Sequence, residues 1–151
     1  MARILVVEDD PHVRHLVQVV LGGEGHETES AGSGSEALEE LSENGYDLIV
    51  LDLMLGRVSG WQVLRQMERW GIRRRTKVLV LTARASERDI LHGWRMGADE
   101  YVTKPFDPTH LTEAVAWTLD RTPEELEQRR RGELEKTELL YRVQVAFNEA
   151  G

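Results

Sequence analysis

The stretch Leu48-Ile49-Val50-Leu51-Asp52 decides how this chain folds, because four aliphatic residues run without alternation into a carboxylate. Runs of this kind form strands buried on both faces, as in parallel sheets covered by helices on each side. Asp52 therefore stands where a buried strand ends. The residues that follow, Leu53-Met54-Leu55-Gly56-Arg57-Val58-Ser59-Gly60, hold two glycines and a serine, which suit a loop at the carboxyl edge of a sheet. Open parallel sheets bind ligands in the crevice outside those strand ends. A single Asp in such a place more commonly caps a helix or turn, so its meaning depends on what the other strands bring beside it.

Working outward, Arg3-Ile4-Leu5-Val6-Val7 is a second unbroken aliphatic run, and it ends in Glu8-Asp9-Asp10. Asp10 then Pro11 is the N-cap and N1 proline that open a helix, continued by Val13, Leu16, Val17, Val20 and Leu21 and stopped at Gly22-Gly23. His26 to Ala31 is a weak, polar strand suited to a sheet edge. Ser33 with Glu36, and later Ser59 with Gln62, have capping-box spacing ahead of amphipathic helices. Lys77-Val78-Leu79-Val80-Leu81-Thr82-Ala83 is a third apolar strand. Ser86 and Asp89 open a helix that runs to Gly97, and Glu100-Tyr101-Val102-Thr103 leads into Lys104-Pro105. Asp107-Pro108 starts a helix carrying Leu111, Val115 and Leu119.

Five strand-then-helix units within 120 residues predict an α/β fold, a doubly wound parallel sheet with right-handed crossovers. The three most hydrophobic strands are the first, third and fourth, which places them centrally and gives the order 2-1-3-4-5. The chain then reverses direction between strands one and three, so the switch point falls between Asp9 and Asp52.

Side by side, the strand ends carry Glu8 and Asp9, then Asp52, then Thr82, then Lys104. Three neighbouring carboxylates repel one another unless a counter-charge is supplied. A hard divalent cation does so, and Mg2+ takes oxygen ligands from one or two acids, water and phosphate. Thr82 and Lys104, a hydroxyl and an ammonium beyond Asp52, complete a cradle for a phosphoryl group. The expected chemistry is phosphorylation of Asp52.

At these residues the chain resembles the receiver domain of bacterial two-component response regulators, in particular stand-alone chemotaxis-type receivers. The resemblance covers residues 1–120 and rests on Val6-Val7-Glu8-Asp9-Asp10, Asp52-Leu53-Met54-Leu55, Leu81-Thr82-Ala83 and Gly97-Ala98-Asp99-Glu100-Tyr101-Val102-Thr103-Lys104-Pro105-Phe106. It implies that Asp52 accepts phosphate from a histidine kinase or phosphotransfer protein, and that Glu8, Asp9, Asp52 and the backbone carbonyl of Met54 hold Mg2+. Thr82 and Tyr101 are implied to be a switch pair, the hydroxyl moving toward the phosphate and the ring turning inward behind it. Lys104 would contact the phosphate, and Lys104-Pro105 would be a cis bond. One departure is visible, since receivers often carry Pro-Gly four and five residues after the acceptor, where this chain has Gly56 and Arg57. Met54 and Arg84, two past the acceptor and two past the threonine, are expected to flank the route of a hydrolytic water.

Composition narrows the function classes. With no cysteine, disulfides and thiolate metal sites are excluded. Apolar runs fall short of the roughly 20 residues of a membrane helix, and Met1-Ala2-Arg3 leaves no room for a signal peptide, so a cytoplasmic location is expected. A net charge of -8 argues against bulk attraction to DNA or anionic lipid. The five histidines are scattered, with only His12 and His15 sharing a helical face, and are read as solvated. Arg73-Arg74-Arg75 is read the same way.

Residues 121–151 form an expected helical extension. Thr122-Pro123-Glu124-Glu125 supplies an N-cap, an N1 proline and an N3 acid, with Gly132 as a place for a bend. Leu139, Leu140, Val143 and Phe147 make an apolar stripe suited to dimerisation, to docking on the receiver or to a partner protein. The extension is too short for the usual DNA-binding domains, so the expected output is protein contact rather than direct DNA binding, toward an unidentified downstream protein. A homodimer through helices four and five or through the last helix is also expected. Ala114, Trp117 and Arg121 lie off the core face of the fifth helix, on a surface that the resemblance implies changes shape on phosphorylation. Trp117 is expected to be covered by the tail or by a second subunit. Two other readings are a degenerate receiver used as a scaffold and an aspartyl-phosphate phosphatase. Such phosphatases usually carry a general-acid Asp two residues after the nucleophile, where this chain has Met54, so no enzymatic activity beyond autocatalytic phosphotransfer and autodephosphorylation is expected.

Overall fold

The computed structural model describes residues 1–150. Five parallel strands form one sheet in the order β2-β1-β3-β4-β5, with β1 at Arg3–Val7, β2 at Glu27–Ala31, β3 at Leu48–Leu51, β4 at Lys77–Thr82 and β5 at Glu100–Thr103. The helices are α1 (Pro11–Gly23), α2 (Gly34–Glu43), α3 (Gly60–Arg69), α4 (Glu87–Arg95), α5 (Pro108–Leu119) and α6 (Pro123–Ala150). The doubly wound topology and strand order agree with the sequence reading.

Strand periodicity builds two cores on opposite sides of the sheet. Leu5, Val7, Ile49, Leu51, Val78 and Val80 point one way and pack with Ala37, Leu41, Val63, Leu64 and Met67 of α2 and α3. Ile4, Val6, Leu48, Val50, Leu79 and Leu81 point the other way, onto Val17 and Leu21 of α1 and Leu111 and Val115 of α5. All four residues of β3 are buried, which explains the absence of alternation in their sequence. The capping signals take effect where the sequence puts them. Asp10 accepts from the His12 and Val13 N–H groups, Ser59 and Gln62 form a reciprocal capping box, and Thr122 and Glu125 exchange two bonds at 3.1 Å.

Three expectations are corrected. Ala114 belongs to the core, not to the outer face of α5, because the helix sits deep enough on β4 and β5 to bury it together with Leu111 and Val115. Leu16 keeps the helical spacing of α1 but is exposed, since Val17 and Leu21 already fill the contact with the sheet. Arg73 is not simply solvated: its guanidinium reaches the buried Asp99 at 3.1 Å and the Gly97 carbonyl at 2.6 Å.

α6 is one uninterrupted helix through Gly132. It packs along α4, burying Leu126 and Thr137. The apolar stripe is not the docking face: Leu139, Leu140, Val143 and Phe147 stay exposed, Phe147 at 77%. No helix among the described residues is long and apolar enough to cross a membrane.

Candidate functional site

Parallel register carries the ends of the central strands to one level. Val7 pairs with Leu51, Leu51 with Val80, and Thr82 with Thr103. The ladder continues one residue further, through Asp52 N–H to the Val7 carbonyl at 3.0 Å and Lys104 N–H to the Thr82 carbonyl at 2.8 Å. Residues from four distant parts of the chain thereby meet at the carboxyl edge.

Asp52 and Glu8 are both buried, at 4% and 3% exposure, while Asp9 is open to solvent. Each of the three offers a carboxylate oxygen within 4.8 Å of the others, a hard-oxygen donor set of the kind that suits Mg2+. The Lys104 ammonium bridges the two buried acids, 2.5 Å from Glu8 Oε2 and 3.0 Å from Asp52 Oδ2. The second oxygen of Asp52 accepts the Met54 N–H at 3.0 Å, which orients the carboxylate from the loop side. Glu8 is held by the Asp10 N–H at 3.2 Å, and its carbonyl accepts from Arg14 at 2.8 Å.

Burial pushes the Glu8 carboxyl up, reinforced by the neighbouring Asp52 charge, with the Lys104 hydrogen bond pulling against it. For Lys104, burial disfavours the ammonium, but its hydrogen bonds to Glu8 and Asp52 outweigh that and hold it above its ordinary range. The amine is therefore a fixed positive charge facing the site at neutral pH.

Thr82 is fully buried at the end of β4, and its Oγ1 accepts a long 3.4 Å bond from the Arg84 N–H. Tyr101 is turned inward, with its ring against Gly93 of α4 and its hydroxyl donating to the Arg84 carbonyl at 2.5 Å. The Arg84 guanidinium pairs with Asp89 at 2.8 Å, so α4 holds the side chain expected to flank a water route. The Met54 side chain is exposed at the loop. The Lys104-Pro105 bond is cis.

Two glycines permit the approach of neighbouring segments. A Cβ on Gly60 would lie 2.5 Å from the Asp52 carbonyl oxygen, and one on Gly93 would lie 2.6 Å from Tyr101 Cε2. His12 and His15 are exposed and outside the acidic cluster.

Sequence reading missed a second cluster, at the opposite end of β5. Asp99 accepts from the Val78 N–H at 2.8 Å and pairs with Arg130 of α6 at 2.8 Å as well as with Arg73. Arg129 pairs with Glu100 at 3.1 Å and lies over the rings of Trp94 and Trp117. Trp117 is thus half-covered by the tail, as anticipated, with Arg121 stacking on it as well. Nothing local to Arg129 and Arg130 marks the acids they meet, since Glu100 and Asp99 lie 29 and 31 residues earlier in the chain.

A family model for the response regulator receiver domain matches residues 4–116. The DNA-binding response regulator MtrA of Mycolicibacterium smegmatis is 40% identical over 124 residues, covering 82% of this chain and 53% of that protein. The phosphate regulon transcriptional regulatory protein PhoB of Escherichia coli is 40% identical over 119 residues, 79% of this chain and 52% of PhoB. This chain thus spans about half the length of these curated relatives. Among solved structures, the Thermotoga maritima response regulator TrrA in complex with Mg(2+)-BeF aligns with TM-score 0.69 at 37% identity, over 78% of this chain and 99% of TrrA. A CheY-like receiver domain protein of Methanospirillum hungatei aligns with TM-score 0.74 at 29% identity, over 85% and 98%. With the sheet order, the acidic edge and these similarities in agreement, the chain belongs to the response regulator receiver domain family.

Proposed function

We propose that Asp52 is the phosphoacceptor of a two-component signalling protein, taking a phosphoryl group from a histidine kinase or phosphotransfer protein. The observation that carries this reading is the Lys104 ammonium bridging buried Asp52 and Glu8 beside a third carboxylate, Asp9. An ion pair with no chemistry to perform needs one acid, and the other two concentrate negative charge that invites a cation. The donor set fits Mg2+, which Glu8, Asp9 and Asp52 would hold together with the Met54 carbonyl. When bound, the metal supplies charge neutralisation of the transferring phosphoryl group.

The remaining steps belong to this chain. The Met54 N–H holds one oxygen of Asp52, leaving the other, facing Lys104, to attack phosphorus. The new O–P bond forms as the donor P–N bond breaks, and the released imidazole takes up a proton. Lys104 neutralises charge on the phosphoryl oxygens, and the Thr82 hydroxyl donates to one of them. Water attacking phosphorus later returns Asp52 and inorganic phosphate. Turnover of this kind is autocatalytic, and Met54 cannot act as the general acid of an aspartyl-phosphate phosphatase.

The expected output is contact with another protein through the surface of α4, α5 and α6. The names of MtrA and PhoB favour a second reading, in which this receiver controls binding to DNA. Intact mass after incubation with Mg2+ and acetyl phosphate tests the acceptor: wild type gains about 80 Da, the mass of a phosphoryl group, and Asp52→Asn gains nothing. Equal labelling of both would overturn the assignment. Duplex-DNA titration of the same labelled sample separates the two outputs, since binding that weakens steeply with salt supports the second.

A further inference from the structure

α6 grips the receiver through two consecutive arginines. The Arg129 guanidinium lies 5.0 Å from the ring centre of Trp94 on α4 and 4.7 Å from that of Trp117 on α5. Its nitrogens donate to the Asp99 carbonyl at 2.9 Å and to the Glu100 carboxylate at 3.1 Å, at the start of β5. Arg130 pairs with the far oxygen of Asp99. A planar cation held by two indoles and a carboxylate is a specific contact rather than a surface ion pair. Because α4, β5 and α5 each supply one side of this slot, it fits Arg129 only while those elements keep their present relation.

Two of the three sides of the slot, those from α4 and β5, adjoin a residue connected to the phosphoacceptor edge. Trp94 follows Gly93, on which the Tyr101 ring packs, and Glu100 precedes Tyr101. The Tyr101 hydroxyl is held by the Arg84 carbonyl, and the Arg84 N–H reaches Thr82. The docked helix and the inward ring therefore occur together in one structure. A phosphoryl group that draws the Thr82 hydroxyl toward it would act on the Arg84 N–H and, through the Arg84 carbonyl, on the Tyr101 ring.

We propose that α6 is an intramolecular ligand of the α4–β5–α5 face whose grip is coupled to phosphorylation of Asp52, each strengthening the other through the inward position of Tyr101. The coupling rests on the phosphoacceptor reading above. Thermodynamic linkage makes it reciprocal: if loading Asp52 tightens α6, then loosening α6 must weaken loading.

Amide hydrogen exchange over residues 126–141 of the full chain, with Mg2+ alone and with Mg2+ plus beryllofluoride, tests this directly. Loading is followed separately by 19F NMR of the bound fluoride. Loading is expected to slow exchange in α6 about fivefold, and Arg129→Ala is expected to speed it and to weaken beryllofluoride binding by about the same factor. Arg129→Lys, which keeps the charge without the planar stack, falls between, while Arg131→Ala leaves both unchanged. Glu100→Gln opens the slot from the β5 side and serves if Arg129→Ala does not melt cooperatively. Loading without added protection in α6, or wild-type affinity in both slot variants, overturns the coupling and leaves the acceptor assignment standing. Failure of wild type to bind beryllofluoride overturns both.

Discussion

The Lys104 amine sits 3.0 Å from Asp52 Oδ2 and bridges it to Glu8, so two buried acids share one ammonium at the mouth of the sheet. Lys104→Met removes that charge while preserving much of the side chain's bulk. Phosphoryl uptake from acetyl phosphate is expected to fall about 100-fold. Unfolding stability at pH 7 is expected to fall by about 3 kcal/mol, because two buried carboxylates are left facing each other. The loss should shrink as pH is lowered, since burial and the Asp52 charge already raise the Glu8 pKa in the fold and removing the Lys104 hydrogen bond raises it further. Denaturant titration at pH 5 and pH 7 checks the sign, and an equal loss at both would contradict this account.

Met54 and Arg84 lie two residues beyond Asp52 and Thr82, respectively. The double substitution Met54→Ala, Arg84→Ala is expected to shorten the lifetime of the acyl phosphate by admitting water. Arg84 is tied to Asp89, so Arg84→Ala alone should have less effect than Met54→Ala, whose side chain is free at the loop. The loss of label with time, followed by intact mass, decides it. An unchanged half-life in the double variant removes the shielding role.

Asp99 answers two arginines and a backbone N–H from beneath α6. Asp99→Asn keeps its shape and leaves Arg73 and Arg130 without their counter-charge. A loss of about 3 kcal/mol follows for a buried pair broken from one side, a drop in Tm of roughly 10 °C at this chain length. Arg74→Ala, which removes an exposed contact to Glu124, should leave Tm unchanged. Thermal melts of the two variants compare a buried cluster with a surface pair of similar geometry.

His26 accepts the Ala2 N–H on Nδ1 at 3.2 Å, which requires the unprotonated nitrogen. Burial, helped by the N-terminal ammonium, holds its pKa below the ordinary 6.5. A base depressed in the folded state contributes stability that is fully present above its unfolded pKa. That contribution is lost as pH falls from about 6.5 toward the folded value, because the unfolded chain binds the proton first. His92, also depressed mainly by burial, adds in the same direction. Stability measured between pH 7.5 and 5.5 should therefore fall less in His26→Gln than in wild type. Identical slopes would rule His26 out as a contributor.

Much of the fold was legible in the sequence because its signals are local. Unalternating Leu48–Leu51 can be satisfied only between two helical layers, and Asp10-Pro11, Ser59-Gln62 and Thr122-Glu125 cap helices with partners two or three residues away. The acids, threonine and lysine of the site were legible for a related reason: each stands at or just past the end of a strand, and parallel register brings those ends together.

The grip of α6 was decided by tertiary structure alone. Arg73, Arg129 and Arg130 have the same local pattern as Arg74, Arg75 and Arg131, which point into solvent or to exposed partners. What separates them is the position of Asp99, 26 residues from Arg73, and of Glu100, Trp94 and Trp117, on other elements than Arg129 and Arg130. Ala114 likewise became core only through how deeply α5 settles on the sheet. Patterning tells which face of an element is apolar, because burial of that face follows from its own residues. Which charged side chain meets which acid depends on where separate elements come to rest, and that is set by the packing of the whole chain.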